Sequence, residues 1–249
     1  MFVYKENDCV SNSLIKHNSY EGKIIENILQ ALEYFRNKNQ IKNNKDIYIL
    51  DIGGNIGLYP SFFGRFGYSI LSFEVLERNY YLSKKNYCLN NKGSNVVLIN
   101  KGLYTEEKKC GYYTHIGNIG NGMILCNETK NKTTINKFYR TNDIYLTKLS
   151  NFIPYLSNKK IALIKIDVEG SEGKVLESGL ELITKYHVPY IIIEFTPKLL
   201  KRHETEPKYF LELFLNNGYK IMKDGFFSDN YLLIDNIYNI SMNLYLKYK

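Results

Sequence analysis

Short apolar runs that stop at polar or charged residues constrain the fold most: IYIL before Asp51, SILSF before Glu74, VVLI before Asn100, IALIKI before Asp167 and YIII before Glu194. Runs of this length, continuously apolar and bounded by turn residues, suit strands buried on both faces of a parallel sheet. Helical spacing predicts helices between them, over about 57–66, 77–91 and 172–186, with a last one over 206–217. Strand and helix in alternation imply a doubly wound α/β sheet with right-handed crossovers. YKIM at 219–222 and YLLI at 231–234 read as an antiparallel pair at its edge.

Upstream, Ile24, Ile25, Ile28, Leu29, Leu32 and Phe35 mark an amphipathic helix that ends near Asn39, whereas residues 1–19 lack periodicity and read as an irregular arm with little part in function. The expected organisation is an arm and helix over 1–45 packing on the core, then a single domain over 46–249. Alternation fails at about 102–145, where Gly, Asn, Thr and Tyr crowd together, so short antiparallel strands and a mobile loop are expected there. Regular structure resumes as a helix over 146–156.

Hydrophobic residues are 44% and charged residues 23% of the 249, which excludes a disordered, collagen-like or coiled-coil chain. No run is apolar over the roughly 18 residues a membrane span needs, and MFVYKENDCV lacks a signal peptide's apolar stretch, so a cytoplasmic protein is expected. The net charge of +8 would suit nucleic acid, an anionic membrane surface or an acidic glycan. Coding bias explains it as well, since 23 Tyr, 13 Phe and no Trp is the usage of an AT-rich genome. Cys9, Cys88, Cys110 and Cys126 form no CxxC pair or Cys/His cluster, so neither zinc nor a disulfide framework is expected, only buried or idle thiols. Without a secretory signal, the sequons at Asn127 and Asn131 are not expected to carry glycans.

The chemistry concentrates at strand ends. Asp51-Ile-Gly53-Gly54-Asn55-Ile-Gly57 is a tight strand-to-helix turn whose backbone N–H groups are expected to face a ligand. It is no dinucleotide fingerprint, because the register from Gly53 puts Asn55 and Leu58 where glycines belong. Glu74 follows 23 positions after Asp51, where a carboxylate accepts hydrogen bonds from ribose hydroxyls while Asp51 faces the amine end of a cationic ligand. The pair fits S-adenosylmethionine. In IALIKIDVEGSE, strict alternation sends Ile161, Leu163, Lys165, Asp167 and Glu169 to one face. Charges at the end of a buried strand border a ligand crevice or form a structural ion pair that caps the next helix.

These segments resemble the FkbM-type methyltransferases of the class I S-adenosylmethionine-dependent fold. The resemblance rests on DIGGNIG at 51–57, Phe73-Glu74, the helix with Asn86 and Asn90, VVLINKGL at 96–103, LIKIDVEGSE at 163–172 and IIIEF at 191–195. It implies a Rossmann-like, mostly parallel seven-stranded sheet with helices on both faces and an antiparallel edge, and methyl transfer to an oxygen, often a sugar hydroxyl. It places Asp51, Gly53, Gly54, Asn55, Gly57 and Glu74 on the cofactor and Asp167 and Glu169 at the transfer centre. The family's Leu-Asp pair before the fourth strand is Leu149-Ser150 here, and its common alanine in the loop is Gly54.

A sugar hydroxyl needs a base, for which Asp167, Glu169, Glu194 and His115 are candidates and Asp167 is favoured. A divalent metal on Asp167 and Glu169 is the alternative route, and no metal site is assigned. Tyr112, Tyr113 and Tyr139 offer rings for a sugar, and His203, after the fifth strand, either reaches the acceptor or, as the favoured reading, is a solvated residue at a helix start. The expected acceptor is a sugar or small molecule. An RNA or protein acceptor is second, without an arginine-rich stripe to favour it, and a silent relative is third.

Overall fold

The computed structural model describes residues 1–6, 8–90, 95–126, 134–135 and 137–249. The chain runs α1 (Cys9–His17), α2 (Gly22–Lys38), β1 (Ile47–Ile52), α3 (Leu58–Arg65), β2 (Ser69–Phe73), α4 (Glu77–Asn90) and β3 (Val96–Ile99). Short strands follow: β4 (Gly102–Leu103), β5 (Lys108–His115), β6 (Asn118–Leu125), β7 (Thr134–Ile135) and β8 (Phe138–Thr147). Then come α5 (Ile153–Leu156), β9 (Lys160–Ile166), α6 (Glu172–Lys185), β10 (Tyr190–Phe195), α7 (Pro197–Arg202) and α8 (Pro207–Asn216). β11 (Tyr219–Met222), α9 (Ile234–Ile237) and β12 (Met242–Tyr248) close the chain.

The main sheet has the order β11-β12-β10-β9-β1-β2-β3. β3, β2, β1, β9 and β10 are parallel, and β12 is antiparallel to both of its neighbours. The fold is therefore α/β and Rossmann-like, a mostly parallel seven-stranded sheet with an antiparallel edge. Apolar side chains cover both faces. α6 and α8 bury Val175, Leu176, Phe210 and Phe214 against Ile164, Ile166 and Ile193 on one face. On the other, Ile28 and Leu32 of α2 and Tyr59 and Phe63 of α3 pack on Ile49, Leu163 and Ile192.

Strict alternation along β9 fails at one point. Its register with β1 slips after Tyr48↔Ile161, and Ile49 pairs with Leu163, leaving Ala162 as an extra residue. This bulge puts Ile161 with Ile164 and Ile166 on the α6 face, while Leu163 stays on the α2 face with Ala162. Sequence cannot show such an insertion because all the residues involved are apolar.

Other differences follow from long-range pairing. Cys9–His17 is a helix, with Asp8 as its N-cap accepting from Ser11 N at 2.7 Å, so the lead-in is not irregular. The helix expected over 146–156 breaks up: Leu146 and Thr147 belong to β8 and pair with Gly102 and Leu103 of β4. A 3-10 turn over Leu149–Phe152 and the single turn of α5 follow. YLLI is not an edge strand. Tyr231 makes an isolated bridge to Met222, and the partner of β11 is β12, whose alternation is weak because only Leu244, Tyr245 and Leu246 in its middle are buried.

Strands β4 to β8 form a second sheet in the order β4-β8-β5-β6, with β7 on β8. Cys110 and Cys126 form a disulfide within it, which corrects the expectation of four free thiols, and the free pair, Cys9 and Cys88, is exposed rather than buried. Sixteen positions separate the bonded cysteines, but antiparallel pairing of β5 with β6 brings them together. The sequons at 127–133, and any loop there, lie outside the described residues. Among the described residues no helix is long and apolar enough to cross a membrane.

Leu163 sits in the centre of the main sheet with no exposure. Leu163→Ala is expected to cost about 2–5 kcal/mol by transfer and cavity terms together, read as a lower urea midpoint at unchanged slope.

Candidate active site

Parallel strands deliver their carboxyl ends to one edge of the sheet, and the crevice outside that edge is where open α/β folds hold ligands. Here a cavity of ≈ 370 Å³ opens there, above the ends of β1, β2, β9 and β10. Gly53, Gly54, Asn55, Glu74, Asp167 and Glu169 all reach it. Asp51 and Gly57 do not line it.

Gly53 has φ +91°, and a Cβ there would fall 1.8 Å from the Asp167 carbonyl oxygen. Only glycine lets the turn after β1 lie this close to the end of β9. Asp167 N donates to Ile52 O at 2.9 Å, which ties the two strand ends together. The turn's amides do not point outward as expected. Gly53 N and Gly54 N both donate to Phe73 O at 2.9 Å, and Asn55 N donates to Glu74 Oε2 at 2.8 Å. The end of β2 needs those donors, so the turn offers a ligand its side chains instead.

Asp51 lies beneath Gly54, fully buried, with Oδ2 accepting from Ser72 Oγ at 2.8 Å. Burial raises its pKa while Lys165 opposes the rise. Gly57, at φ +84°, lets α3 pack on Ser83 of α4. Glu74 is buried at the end of β2, and its Oε1 accepts from Leu76 N at 2.8 Å. Burial pushes its carboxyl up to about 7, against the pull of those backbone donors.

At the other end Lys165 Nζ meets Asp167 Oδ2 at 3.0 Å and lies 4.8 Å from the centre of the Tyr59 ring. Burial alone would lower this ammonium, but Asp167, Glu21, Tyr59 and Asp51 outweigh it and hold the pKa well above normal. Glu169, in left-handed backbone at φ 56°, is raised to about 8 by burial and by Asp167. Glu194 is raised to about 9 by burial first, then by neighbouring acids and a hydrogen bond to Asp167. It is therefore protonated at neutral pH and donates to Asp167. Glu172 is not part of the lining; it accepts from Val168 N at 3.0 Å and Gly170 N at 3.1 Å and caps the turn before α6.

His115 stays at the hairpin end against Phe138, away from the cavity. His203 corrects its expectation: it follows α7 rather than starting a helix, lines the cavity and keeps Nε2 buried without a partner. Burial and the nearby Arg202 and Lys174 lower its pKa. Tyr112 reaches the cavity, while Tyr113 is buried in the second sheet. Among the described residues no three His, Cys, Asp or Glu side chains converge as a metal-ligand group.

Sequence reasoning missed the contribution of the N-terminus. Asp8, Cys9 and Val10, with Tyr20 and Glu21 before α2, line the cavity from above. Glu21 Oε2 accepts from Tyr59 OH at 2.6 Å, and Tyr4 OH donates to Asn79 Oδ1 at 2.8 Å. The one legible signal was Asp8-Cys-Val-Ser11, an N-cap acid before a helix.

The glycine turn after β1, the acid closing β2 and this strand order define a methyltransferase of the Rossmann-like class. A model of the methyltransferase FkbM domain matches residues 51–221, and the chain belongs to that family. Comparison with curated proteins returns no match. Among solved structures, a protein of the NADB-Rossmann superfamily from Streptococcus agalactiae is 13% identical with TM-score 0.43, over 89% of this chain and 67% of that one. A putative tRNA (m1A22) methyltransferase from Streptococcus pneumoniae is 12% identical with TM-score 0.39, over 81% of this chain and 63% of that one. A TehB-like SAM-dependent methyltransferase from Corynebacterium glutamicum is 11% identical with TM-score 0.43, over 96% and 93%. The chain thus spans about two thirds of the length of the first two.

Glu74, Glu172, Glu169 and Glu194 hold their protons more tightly folded than unfolded, with values of about 7, 7, 8 and 9 against 4.5. The folded state then binds more protons than the unfolded one from pH 4.5 upward, so stability falls as pH rises through that window. A thermal scan series should show the midpoint highest at the acid end of the window and dropping toward its alkaline end. Glu194→Gln should shrink the alkaline part of that drop.

Proposed function

We propose that this enzyme transfers a methyl group from S-adenosylmethionine to a hydroxyl of a sugar or other small molecule. The observation that carries the reading is the acid-rich cavity at the strand ends of a chain whose net charge is +8. Asp8, Glu21, Glu74, Asp167, Glu169 and Glu194 face it, against Lys101 and Lys165. A cofactor carrying ammonium and hydroxyl donors suits a lining this rich in carboxyl groups, Glu169 and Glu194 among them keeping their protons at neutral pH, and two lysines offer little to a phosphodiester acceptor. The volume is in the range of small-molecule sites.

Bound S-adenosylmethionine would supply an electrophilic methyl group on a positively charged sulfur. Gly53, Gly54 and Asn55 would lie under the cofactor, with Asp51 and Gly57 shaping the turn from below. Glu74 has lone pairs left after its two backbone bonds, and these would accept from the ribose hydroxyls. Asp167 would take the acceptor's proton, oriented from one side by Lys165 and from the other by the Glu194 carboxyl. Glu169 would border the acceptor beside it. The N-terminal residues over the cavity would exclude water from the reacting groups.

Calorimetric titration with S-adenosylhomocysteine, followed by transfer of labelled methyl to a panel of sugars, tests the reading. Glu74→Ala should weaken binding by about 1.5–3 kcal/mol. Unchanged affinity would remove Glu74 from the site. Asp167→Asn should leave that affinity in place and lower turnover by roughly 10²–10⁴-fold, and retained turnover would dismiss it as the base.

A further inference from the structure

Asp8 is 1% exposed, and its two carboxyl oxygens have different fates. Oδ2 caps α1 through Ser11 N at 2.7 Å. Oδ1 is buried, bonded to nothing and set in the cavity lining. No ion pair among the described residues reaches Asp8. A buried acid oxygen without a donor is costly, and the cost is recovered where a ligand brings the donor.

A second unpartnered acceptor lies nearby. Asn55 Oδ1 is also buried without a partner, and Asn55 lines the cavity from the glycine turn. Both side chains converge over Gly120 of β6: a Cβ there would fall 2.4 Å from Asp8 Oδ1 and 3.2 Å from Asn55 Nδ2. The missing side chain at Gly120 therefore leaves room for both groups. Two hydrogen-bond acceptors, one of them acidic, suit a compact cation with several N–H donors. Asp51, the acid first expected to meet such a group, is sealed beneath the turn at no exposure.

We propose that Asp8 and Asn55 form an ammonium-binding subsite that receives the amino group of S-adenosylmethionine, so that the N-terminal segment completes the cofactor site. The proposal rests on the cofactor reading above. It also places a ligand contact outside residues 51–221, the stretch matched by the family model.

Asp8→Asn is the informative change, because asparagine caps a helix as well as aspartate while presenting an N–H pair where Oδ1 now stands. The full-length wild type and variant are titrated with S-adenosylhomocysteine and with methylthioadenosine, which keeps the nucleoside and lacks the amino-acid portion. The expected result is a loss of about tenfold or more for S-adenosylhomocysteine, as for one charge-assisted hydrogen bond, with methylthioadenosine affinity unchanged. Gly120→Ala, which presses a methyl onto Asp8 Oδ1, should reproduce this selective loss, and matching thermal midpoints would show that both variants fold. Equal affinity of wild type and Asp8→Asn for S-adenosylhomocysteine overturns the proposal, as does an equal loss on both ligands. If the wild type binds neither ligand, the cofactor reading itself falls and takes this subsite with it.

Discussion

A lysine ammonium buried at the end of β9 organises the site. Lys165 stands 5% exposed in the middle of the main sheet, where an unpaired charge would be prohibitive. Asp167 therefore turns back to it at 3.0 Å, and Glu21 and Tyr59 gather from the helices on that face. Glu194 approaches the same carboxylate and can stay there only by keeping its proton. One buried cation thus fixes the orientation of the proposed base, while burial and the neighbouring acids keep the proton on Glu194.

The turn after β1 obeys a steric constraint at the same place. Gly53 and the Asp167 carbonyl oxygen leave no room for a Cβ between them, so the turn and the end of β9 are held as one unit. Glu74 joins that unit through Asn55 N. The three strand ends that carry the predicted residues are therefore linked by backbone contacts before any ligand arrives, which is the preorganisation that favours orientation and electrostatic stabilisation.

Two segments outside the repeated strand-helix pattern close the cavity. β6 contributes Gly120 and Met123, and the N-terminus contributes Asp8, Tyr20 and Glu21. They also meet each other: Arg78 of α4 bonds Thr114 Oγ1 and Ile119 O and lies 6.0 Å from the Tyr4 ring centre. The chain carries a net charge of +8, yet six acids against two lysines line its cavity. Whole-chain charge is therefore a poor guide to the composition of the cavity.

Much of the fold was legible from local pattern. Continuous apolar runs ending at Asp51, Glu74 and Asp167 predicted parallel strands and the edge where a ligand would sit, because burial on both faces and charge at strand ends leave direct marks in sequence. The glycine turn was legible too, though the direction of its amides was not, since that depends on the Phe73 carbonyl across the sheet. The bulge at Ala162, the Cys110–Cys126 bond, the pairing of β11 with β12 and the place of Asp8 beside Gly120 carried no local signal. Each joins residues whose proximity depends on the path of the whole chain. The sequence by itself determined the strand-helix order and the family's motifs, which arise from short-range sterics and burial. Only the tertiary structure decided which acids share a proton, which lie sealed and which remain open to a ligand, because desolvation and pairing depend on neighbours brought from distant parts of the chain.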